Sequence, residues 1–204
     1  MKLYYSPGTC SLAVHIALRE IDAEFDLEKV DLAAKRTEAG DDFNAINPNG
    51  YVPTLRLDDG EVLFEAPAVL QYVADSRPER ALAPAAGSLD RVRLQQYLNY
   101  TASELHKSFS PFFAATKPEG VWREAALAKL HRRFDYLDRL LADGRDYLMG
   151  DTFTVADAYT FVVASWADPV GIGLQNWPHV KAYVERVSRR PQVRAAMQRE
   201  GLIH

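Results

Sequence analysis

The sequence predicts two parts, a small mixed α/β domain followed by an all-helical domain. Short strand-like and helix-like segments alternate over the first 77 residues, whereas every apolar pattern after residue 89 has helical spacing. Residues 78–88 lie between these parts and are rich in Pro, Ala and Gly, which indicates a linker. The predicted domains are therefore residues 1–77 and residues 89–204.

The first half of the α/β part has the pattern strand, helix, strand. Leu3–Tyr5 is a short apolar strand, Ser11–Glu20 has its apolar residues on one side of a helix, and residues 24–32 alternate as a strand. Such a unit implies two parallel strands joined by a right-handed crossover. The polar residues 33–50 follow, and they predict a loop that ends in an Asn-Pro-Asn-Gly turn.

The second half of this part predicts a hairpin and a helix. Residues 52–57 and 61–64 are strand-like, and they flank an Asp-Asp-Gly turn. Residues 66–75 predict a helix with Pro67 in its first position, where the missing N–H of proline costs nothing. The order βαβ and then ββα is typical of a thioredoxin-like domain.

The rest of the chain predicts a bundle of helices. Helical patterns cover residues 89–113 and 119–142. Thr154-Val155-Ala156-Asp157 is a capping box with Asp in place of the usual Glu, and it opens a strongly apolar helix. The last two helices are expected to start at Pro178 and Pro191.

Composition and charge exclude several classes of function. The net charge is −4 and the basic residues form no block, so nucleic-acid binding has no electrostatic support. No apolar stretch reaches membrane-spanning length, and the N-terminus lacks the apolar run of a signal peptide. The five histidines have no metal-ligand spacing, and the single cysteine excludes an internal disulfide. We therefore expect no metal, no membrane partner and a reducing cytoplasm.

Cys10 is the first candidate for chemistry, because it lies where a Pro-Gly turn meets the first predicted helix. The positive end of a helix dipole and its unpaired N–H groups favour a thiolate over a thiol. A thiolate is both a nucleophile and a hydrogen-bond acceptor. The alternative is a small buried side chain, since free cysteine is among the most buried residue types. Position alone leaves both interpretations open.

Over its whole length the chain resembles the cytosolic glutathione transferases, and a cysteine at the first helix resembles their bacterial beta class. The motifs that carry the resemblance are Ser6-Pro7-Gly8-Thr9-Cys10-Ser11, Asn47-Pro48-Asn49-Gly50-Tyr51-Val52-Pro53, Glu65-Ala66, Asn99-Tyr100, Glu104-Leu105-His106-Lys107 and Phe153-Thr154-Val155-Ala156-Asp157. The resemblance implies a homodimeric detoxification enzyme that takes glutathione as co-substrate and conjugates it to an apolar electrophilic small molecule.

The resemblance implies that most of the glutathione site lies in the first domain. Val52 would pair its backbone with the cysteinyl part of the peptide, and the bond from Val52 to Pro53 would be cis. The Ala66 N–H would donate to the γ-glutamyl carboxylate at an uncapped helix start, and Glu65 would meet the ammonium. Lys35 would meet the glycyl carboxylate. Many family members have Ser or Thr where this chain has Ala66, so a hydrogen bond of about 1 kcal/mol is missing.

Each of these residues also has a purely structural interpretation. Pro53 fits an ordinary strand start, because only about 5–6% of X–Pro bonds are cis. Glu65 fits a solvated carboxylate at a helix start, and Lys35 fits a surface lysine. Without the family resemblance these interpretations would be preferred.

In the helical domain, Asn99, Ser103 and His106 have the spacing i, i+4, i+7, which predicts one shared helix face. The resemblance implies that His106 approaches the glutathione sulfur within the same subunit. Asn99, Ser103 and Glu104 would lie near the dimer interface, where some reach the partner's glutathione. Glu104 is turned about 100° away from Ser103, so its role is less defined. The alternative for His106 is a satisfied core histidine.

Three aromatic residues are candidates for an electrophile pocket: Phe109 and Phe113, with Trp166 as a neighbour. An aromatic stripe is more often core than pocket, so this prediction competes with a structural one. Tyr5 is the second choice for the catalytic group, since a phenol can donate a hydrogen bond to a thiolate. His15 is interpreted as structural.

Three functions remain open at this level. The first is a glutathione transferase in which Cys10 either donates a hydrogen bond to the bound sulfur or forms a mixed disulfide. The second is a glutathione-dependent thiol transferase or peroxidase. The third is a non-catalytic binding or scaffold protein with this fold, because a fold alone does not define an activity.

Overall fold

The computed structural model describes all 204 residues, and its first 76 form a five-stranded mixed sheet with helices. The strands are β1 (Lys2–Tyr5), β2 (Asp26–Asp31), β3 (Arg36–Thr37), β4 (Thr54–Arg56) and β5 (Val62–Phe64). Their spatial order is β3-β2-β1-β4-β5. Strand β1 is parallel to β2 and antiparallel to β4, and β4 and β5 form an antiparallel hairpin. The predicted thioredoxin-like βαβ-ββα arrangement and the fold class are confirmed.

Residues 33–50 are not the plain loop that the sequence predicted. They contain the two-residue strand β3, which pairs with the end of β2, and the single-turn helix α2 (Phe43–Ile46). Asp42 caps α2 by accepting a hydrogen bond from the Asn44 N–H at 3.0 Å. Elements this short carry too few residues to show a periodic pattern.

Helix α1 (Ser11–Glu20) joins the two parts of the molecule. It packs against α3 (Ala66–Ser76) on the sheet side and against α7 (Val155–Ser165) and α9 (Pro191–Arg199) on the helical side. Buried side chains from all four helices belong to one continuous core. The helix that follows Cys10 is therefore held by both parts of the chain.

The segment between the two predicted domains is anchored rather than free. It contains a 3₁₀ turn at Pro78–Arg80, and Leu82 is buried in the core. The Leu82 carbonyl accepts a hydrogen bond from the Val155 N–H at 3.0 Å. The domain boundaries at residues 77 and 89 stay a prediction.

The long helix predicted over residues 89–113 has a different geometry. It consists of α4 (Leu89–Tyr100), a π-helical segment (Thr101–His106) and α5 (Lys107–Phe113). A π-helix closes i→i+5 hydrogen bonds and is frequent at functional sites. The expected face shared by Asn99, Ser103 and His106 assumed regular α-helical spacing, and the π segment changes that spacing.

The remaining helices agree with the predicted pattern. They are α6 (Gly120–Leu141), α7, α8 (Pro178–Ser188) and α9. Residues 155–164 of α7 are all buried, so this helix is the centre of the helical part. None of the helices combines the length and apolar character needed to cross a membrane.

Candidate functional site

A cavity of about 860 Å³ lies between the sheet part and the helical part. Nine of the side chains proposed from the sequence line it: Cys10, Val52, Pro53, Glu65, Ala66, Ser103, His106, Phe113 and Trp166. The first five come from the sheet part and the other four from the helical part. The cavity therefore joins residues that are far apart in the sequence, such as Cys10 and Trp166.

Cys10 immediately precedes α1, and its thiol donates a hydrogen bond to the Val52 carbonyl at 3.2 Å. Burial raises the pKa of the Cys10 thiol to about 12, because loss of water outweighs the favourable N–H groups at the helix start. Cys10 therefore remains a protonated thiol at neutral pH. Of the two interpretations that its position leaves open, this pKa favours the thiol over the thiolate.

The turn before Cys10 is held in place by the helical part. Gly8 has a φ of 71°, in the left-handed region that glycine adopts without strain. Its N–H donates to Glu200 Oε2 at 3.0 Å, and its carbonyl accepts from Trp166 Nε1 at 2.8 Å. Both polar groups of one peptide residue are thus bonded to distant side chains, which orients the turn.

On the opposite wall, the bond between Val52 and Pro53 is cis, as the family resemblance implied. Asn47 supports this turn by donating from Nδ2 to the Tyr51 carbonyl and to Thr54 Oγ1, each at 2.9 Å. The Val52 N–H donates to no group of the chain. The turn therefore offers a backbone donor at the cavity wall.

Glu65 directly precedes α3 with a φ of 70°, a left-handed conformation that costs a non-glycine residue about 1–3 kcal/mol. Its side chain does not cap the helix, and it is exposed at the cavity. Glu65, rather than Ala66, is the cap residue, and Pro67 is the second helical residue. Pro67 has no N–H, and the Ala68 N–H already donates to the Glu65 carbonyl at 3.0 Å, so the Ala66 N–H is the open donor at the start of α3.

His106 lies at the end of the π segment with its ring in the cavity wall. Its Nδ1 is 2.9 Å from the Tyr159 hydroxyl, and its ring packs edge-on against Trp166 with centroids 4.7 Å apart. Burial, and then the nearby Lys107 charge, lower the pKa of His106 to about 4. The imidazole is therefore neutral at physiological pH.

Five of the proposed site residues lie outside the cavity wall: Lys35, Asn99, Glu104, Tyr5 and Phe109. Lys35 donates from Nζ to the Gly50 carbonyl at 2.6 Å, one residue before Tyr51. Asn99 is exposed on α4, and the Glu104 carboxylate forms an ion pair with Arg133. Tyr5 packs against the main core instead of lining the cavity.

Phe109 is a correction to the predicted electrophile pocket. It is completely buried, and its ring packs against Phe113, Phe134 and Trp166. Phe109 therefore belongs to the core that supports the pocket. This agrees with the structural interpretation of the aromatic stripe that the sequence also allowed. Phe113, by contrast, is 54% exposed and lines the cavity.

Among the cavity residues that the sequence left without a role, three have titratable side chains: Tyr51, Lys107 and Tyr159. Tyr51 and Lys107 lie within the recognised motifs, so the motifs themselves were a usable signal. Tyr159 lies within an apolar helix that the sequence assigned to the core, and nothing in its local pattern distinguishes it. No group of three or more His, Cys, Asp or Glu side chains is arranged to hold a metal ion.

Comparison with known proteins identifies the family. The glutathione S-transferase N-terminal domain model matches residues 8–76, and the C-terminal domain model matches residues 100–191. The chain is 45% identical over 202 residues to glutathione S-transferase GstA of Escherichia coli O157:H7, covering 99% of this chain and all of that protein. The chain belongs to the glutathione S-transferase family. The transferase assignment made from the motifs is thereby confirmed.

Solved structures refine the place of this transferase within the family. A bacterial beta class glutathione S-transferase from Sphingomonas chungbukensis is 47% identical, with a TM-score of 0.95 over both complete chains. A sphingomonad glutathione S-transferase complexed with glutathione is 49% identical, with a TM-score of 0.94, again over both complete chains. The predicted beta-class membership is confirmed.

Proposed function

We propose that this transferase binds reduced glutathione with its sulfur between Cys10 and His106, and transfers that sulfur to an electrophilic carbon of an apolar small molecule. The observation that carries the proposal is the meeting of Cys10, His106 and the cis Val52–Pro53 turn around one cavity. A similar sphingomonad enzyme was solved with glutathione bound, which supports glutathione as the co-substrate.

Open backbone and side-chain groups match the ends of glutathione. The Val52 N–H suits the backbone of the cysteinyl residue, as in the addition of an extended peptide to a sheet edge. The open start of α3 at Ala66 suits the γ-glutamyl carboxylate, and Glu65 suits its ammonium group. Lys35 reaches the glycyl carboxylate by exchanging its bond to the Gly50 carbonyl.

In this proposal Cys10 acts as a hydrogen-bond donor. Its raised pKa keeps the proton on sulfur, and the thiol hydrogen already points to a carbonyl at the cavity wall. When glutathione is bound, the same hydrogen donates to the glutathione thiolate and stabilises its negative charge. This lowers the pKa of the glutathione thiol. The glutathione thiol releases its proton to water, the thiolate attacks carbon, the new C–S bond forms, and the leaving group departs with its electron pair.

The raised pKa also weighs against the second function. Thiol transfer and peroxide reduction through Cys10 need a thiolate as nucleophile, which this burial disfavours. A scaffold protein has no need for a protonated thiol, a neutral imidazole and an open helix start around one cavity. The site therefore favours conjugation.

The apolar part of the cavity adjoins the proposed sulfur position. Phe113, Trp166, Ala102 and Pro169 line it from the helical side. Aromatic and aliphatic walls beside a few polar groups are typical of sites for small apolar ligands. We assign the electrophile to this region, which restricts it to molecules with an apolar body.

A homodimer is part of the proposal, with Asn99, Ser103 and Glu104 placed near the second subunit. Ser103 lines the cavity, while Asn99 and the Glu104–Arg133 ion pair lie outside it. Gel filtration at micromolar protein should give the mass of two chains. Elution as a monomer would remove the cross-subunit role of these residues. The cytoplasmic location expected from the sequence stays a prediction.

Calorimetric titration with reduced glutathione tests the binding site. We expect saturable binding at a single site per chain, and an affinity about tenfold lower for Glu65→Gln, because a charged hydrogen bond to the ammonium is weakened. Glu61→Gln is the matched control, since Glu61 is exposed in the β4–β5 turn and does not line the cavity. Failure of the unmodified protein to bind at millimolar glutathione would contradict the proposed function.

Two substitutions of Cys10 separate its possible roles. Cys10→Ser keeps a hydrogen-bond donor, so we expect conjugation within about threefold of the unmodified enzyme, whereas Cys10→Ala should lose about tenfold. Intact-mass measurement after incubation with oxidised glutathione should show little adduct at pH 7 and none in Cys10→Ala. Equal loss of activity in both variants, with a full adduct on the unmodified protein, would favour covalent catalysis instead.

A further inference from the structure

Tyr159 lines the cavity, and none of the roles assigned above involves it. It lies on α7, is 2% exposed, and places its hydroxyl 2.9 Å from His106 Nδ1. The surrounding residues of α7 are buried, so its position is fixed by the core. Tyr159 and His106 line the same cavity.

Within the chain, the Tyr159 hydroxyl can donate its proton to one acceptor, His106 Nδ1. No other protein acceptor lies within hydrogen-bond distance of the Tyr159 oxygen, and an unsatisfied buried donor costs about 1–3 kcal/mol. If His106 Nδ1 carried the ring proton and donated it to Tyr159, the phenol proton would have no acceptor within the chain. The satisfied arrangement has the phenol donating to an unprotonated Nδ1.

We propose that Tyr159 is a positioning residue that holds His106 in the tautomer with its single ring proton on Nε2. This inference rests on the proposed function, since it assigns the use of the same site. Nε2 makes no hydrogen bond within the chain, and the other ring nitrogen is occupied by Tyr159. His106 therefore presents an N–H donor, which stabilises the glutathione thiolate beside Cys10 and does not remove the proton from glutathione.

The ring orientation supports this assignment. The edge-on contact with Trp166 and the Tyr159 hydrogen bond hold His106 from two directions. A neutral histidine in a fixed position acts through the ring nitrogen that has no partner. The hydrogen bond to the other ring nitrogen decides whether this open nitrogen is a donor or an acceptor. The Cys10 S–H and the His106 N–H are then two donors that line the same cavity, and the proposed function places the glutathione sulfur between them.

Nitrogen-15 NMR of histidine rings in the glutathione-free protein tests the tautomer directly. The chain has five histidines, and a His106→Gln sample identifies the His106 signals by their loss. We expect the unmodified protein to show a protonated Nε2 and an unprotonated Nδ1 for His106 at pH 7. A protonated Nδ1 would overturn the proposal, and this result does not depend on whether glutathione binds.

The Tyr159→Phe variant tests the consequence for the reaction. Without the phenol, both tautomers become accessible, so we expect a mixture by NMR and a kcat about fivefold lower with little change in KM for glutathione. The absorbance of the bound thiolate should titrate at a higher pH. The other titratable groups lining the cavity are Cys10, Tyr51, Glu65 and Lys107, and the substitution leaves them in place.

Tyr147→Phe is the matched control, because its hydroxyl accepts from Arg190 Nη1 at 3.1 Å and lies away from the cavity. It should leave kcat and the thiolate titration unchanged. An unaltered tautomer, kcat and thiolate titration in Tyr159→Phe would overturn the positioning role. If the unmodified protein fails to bind glutathione while the Nε2–H tautomer is observed, the proposed function fails and the tautomer assignment stands.

Discussion

The Asp157→Ala variant should lose about 3 kcal/mol of the free energy of unfolding, because it leaves several buried hydrogen-bond donors without an acceptor. Asp157 is fully buried at the start of α7. Its Oδ1 accepts from the Leu148 N–H at 2.8 Å and from the Tyr183 hydroxyl at 3.1 Å. Its Oδ2 accepts from the Thr154 N–H at 2.8 Å and from Thr154 Oγ1 at 2.9 Å. One carboxylate thus joins a loop, a helix cap and α8.

Urea unfolding followed by circular dichroism measures this loss. Asp151→Ala is the control, since Asp151 is exposed in the preceding loop, and it should stay within about 0.5 kcal/mol of the unmodified protein. We expect Asp157→Asn to be intermediate, because the amide keeps one acceptor oxygen. A midpoint for Asp157→Ala equal to that of the control would show that the four bonds contribute nothing net.

The same residue predicts a pH dependence. Burial raises the pKa of Asp157 to about 6 from its ordinary 3.8, since desolvation outweighs the four hydrogen bonds. A raised folded-state pKa contributes stability that is fully present below pH 3.8 and lost as the pH rises through 6. The unmodified protein should therefore gain stability relative to Asp157→Asn between pH 7 and pH 4. A constant difference over this range would contradict the raised pKa.

The Glu200→Leu variant should lose both stability and activity. The Glu200 side chain is completely buried at the end of α9, with Oε1 2.9 Å from His15 Nδ1 and Oε2 accepting from the Gly8 N–H at 3.0 Å. Leucine leaves both partners unsatisfied, which should cost about 3 kcal/mol. The turn that leads to Cys10 loses one of its two anchors, so kcat should fall about tenfold, because small displacements of reacting groups are costly.

Thermal unfolding and conjugation kinetics at a temperature well below the transition separate these two effects. Gln198→Leu is the control, because Gln198 is exposed on the same helix and should change neither quantity. A destabilised variant with an unchanged kcat would show that Trp166 alone holds the Gly8 carbonyl and orients the turn. Unchanged stability would show that the His15–Glu200 pair is neutral overall.

Local sequence patterns were sufficient to predict the elements whose structure depends on residues that are close together in the chain. The bounds of α1 match the prediction residue for residue, and the hairpin turn, the capping box and the starts of α8 at Pro178 and α9 at Pro191 were also predicted correctly. Pro67 was predicted to be the first residue of α3 and is the second. Where an element was too short for a periodic pattern, as in β3 and α2, no prediction was possible. The π segment was missed because its apolar pattern resembles that of an ordinary helix.

The site residues likewise fall into those that the sequence predicted and those that it did not. Motifs pointed to Cys10, the cis turn at Val52–Pro53 and His106, and the structure places all of these around one cavity. They did not point to Tyr159, since its significance comes from a hydroxyl that meets a ring 53 positions away. Phe109 was assigned to the pocket because a helical pattern does not distinguish a residue facing a cavity from one facing the core.

By itself, the sequence determined the order of the longer helices and strands, the transferase family and the residue types that the site requires, because these depend on short-range patterns and motifs. Only the tertiary structure decided the protonation state of those residues. The position of Cys10 at the start of α1 left a thiolate and a buried thiol both open, and burial raises the pKa of this thiol to about 12. Desolvation depends on every atom that surrounds a group in space, and those atoms come from distant parts of the chain.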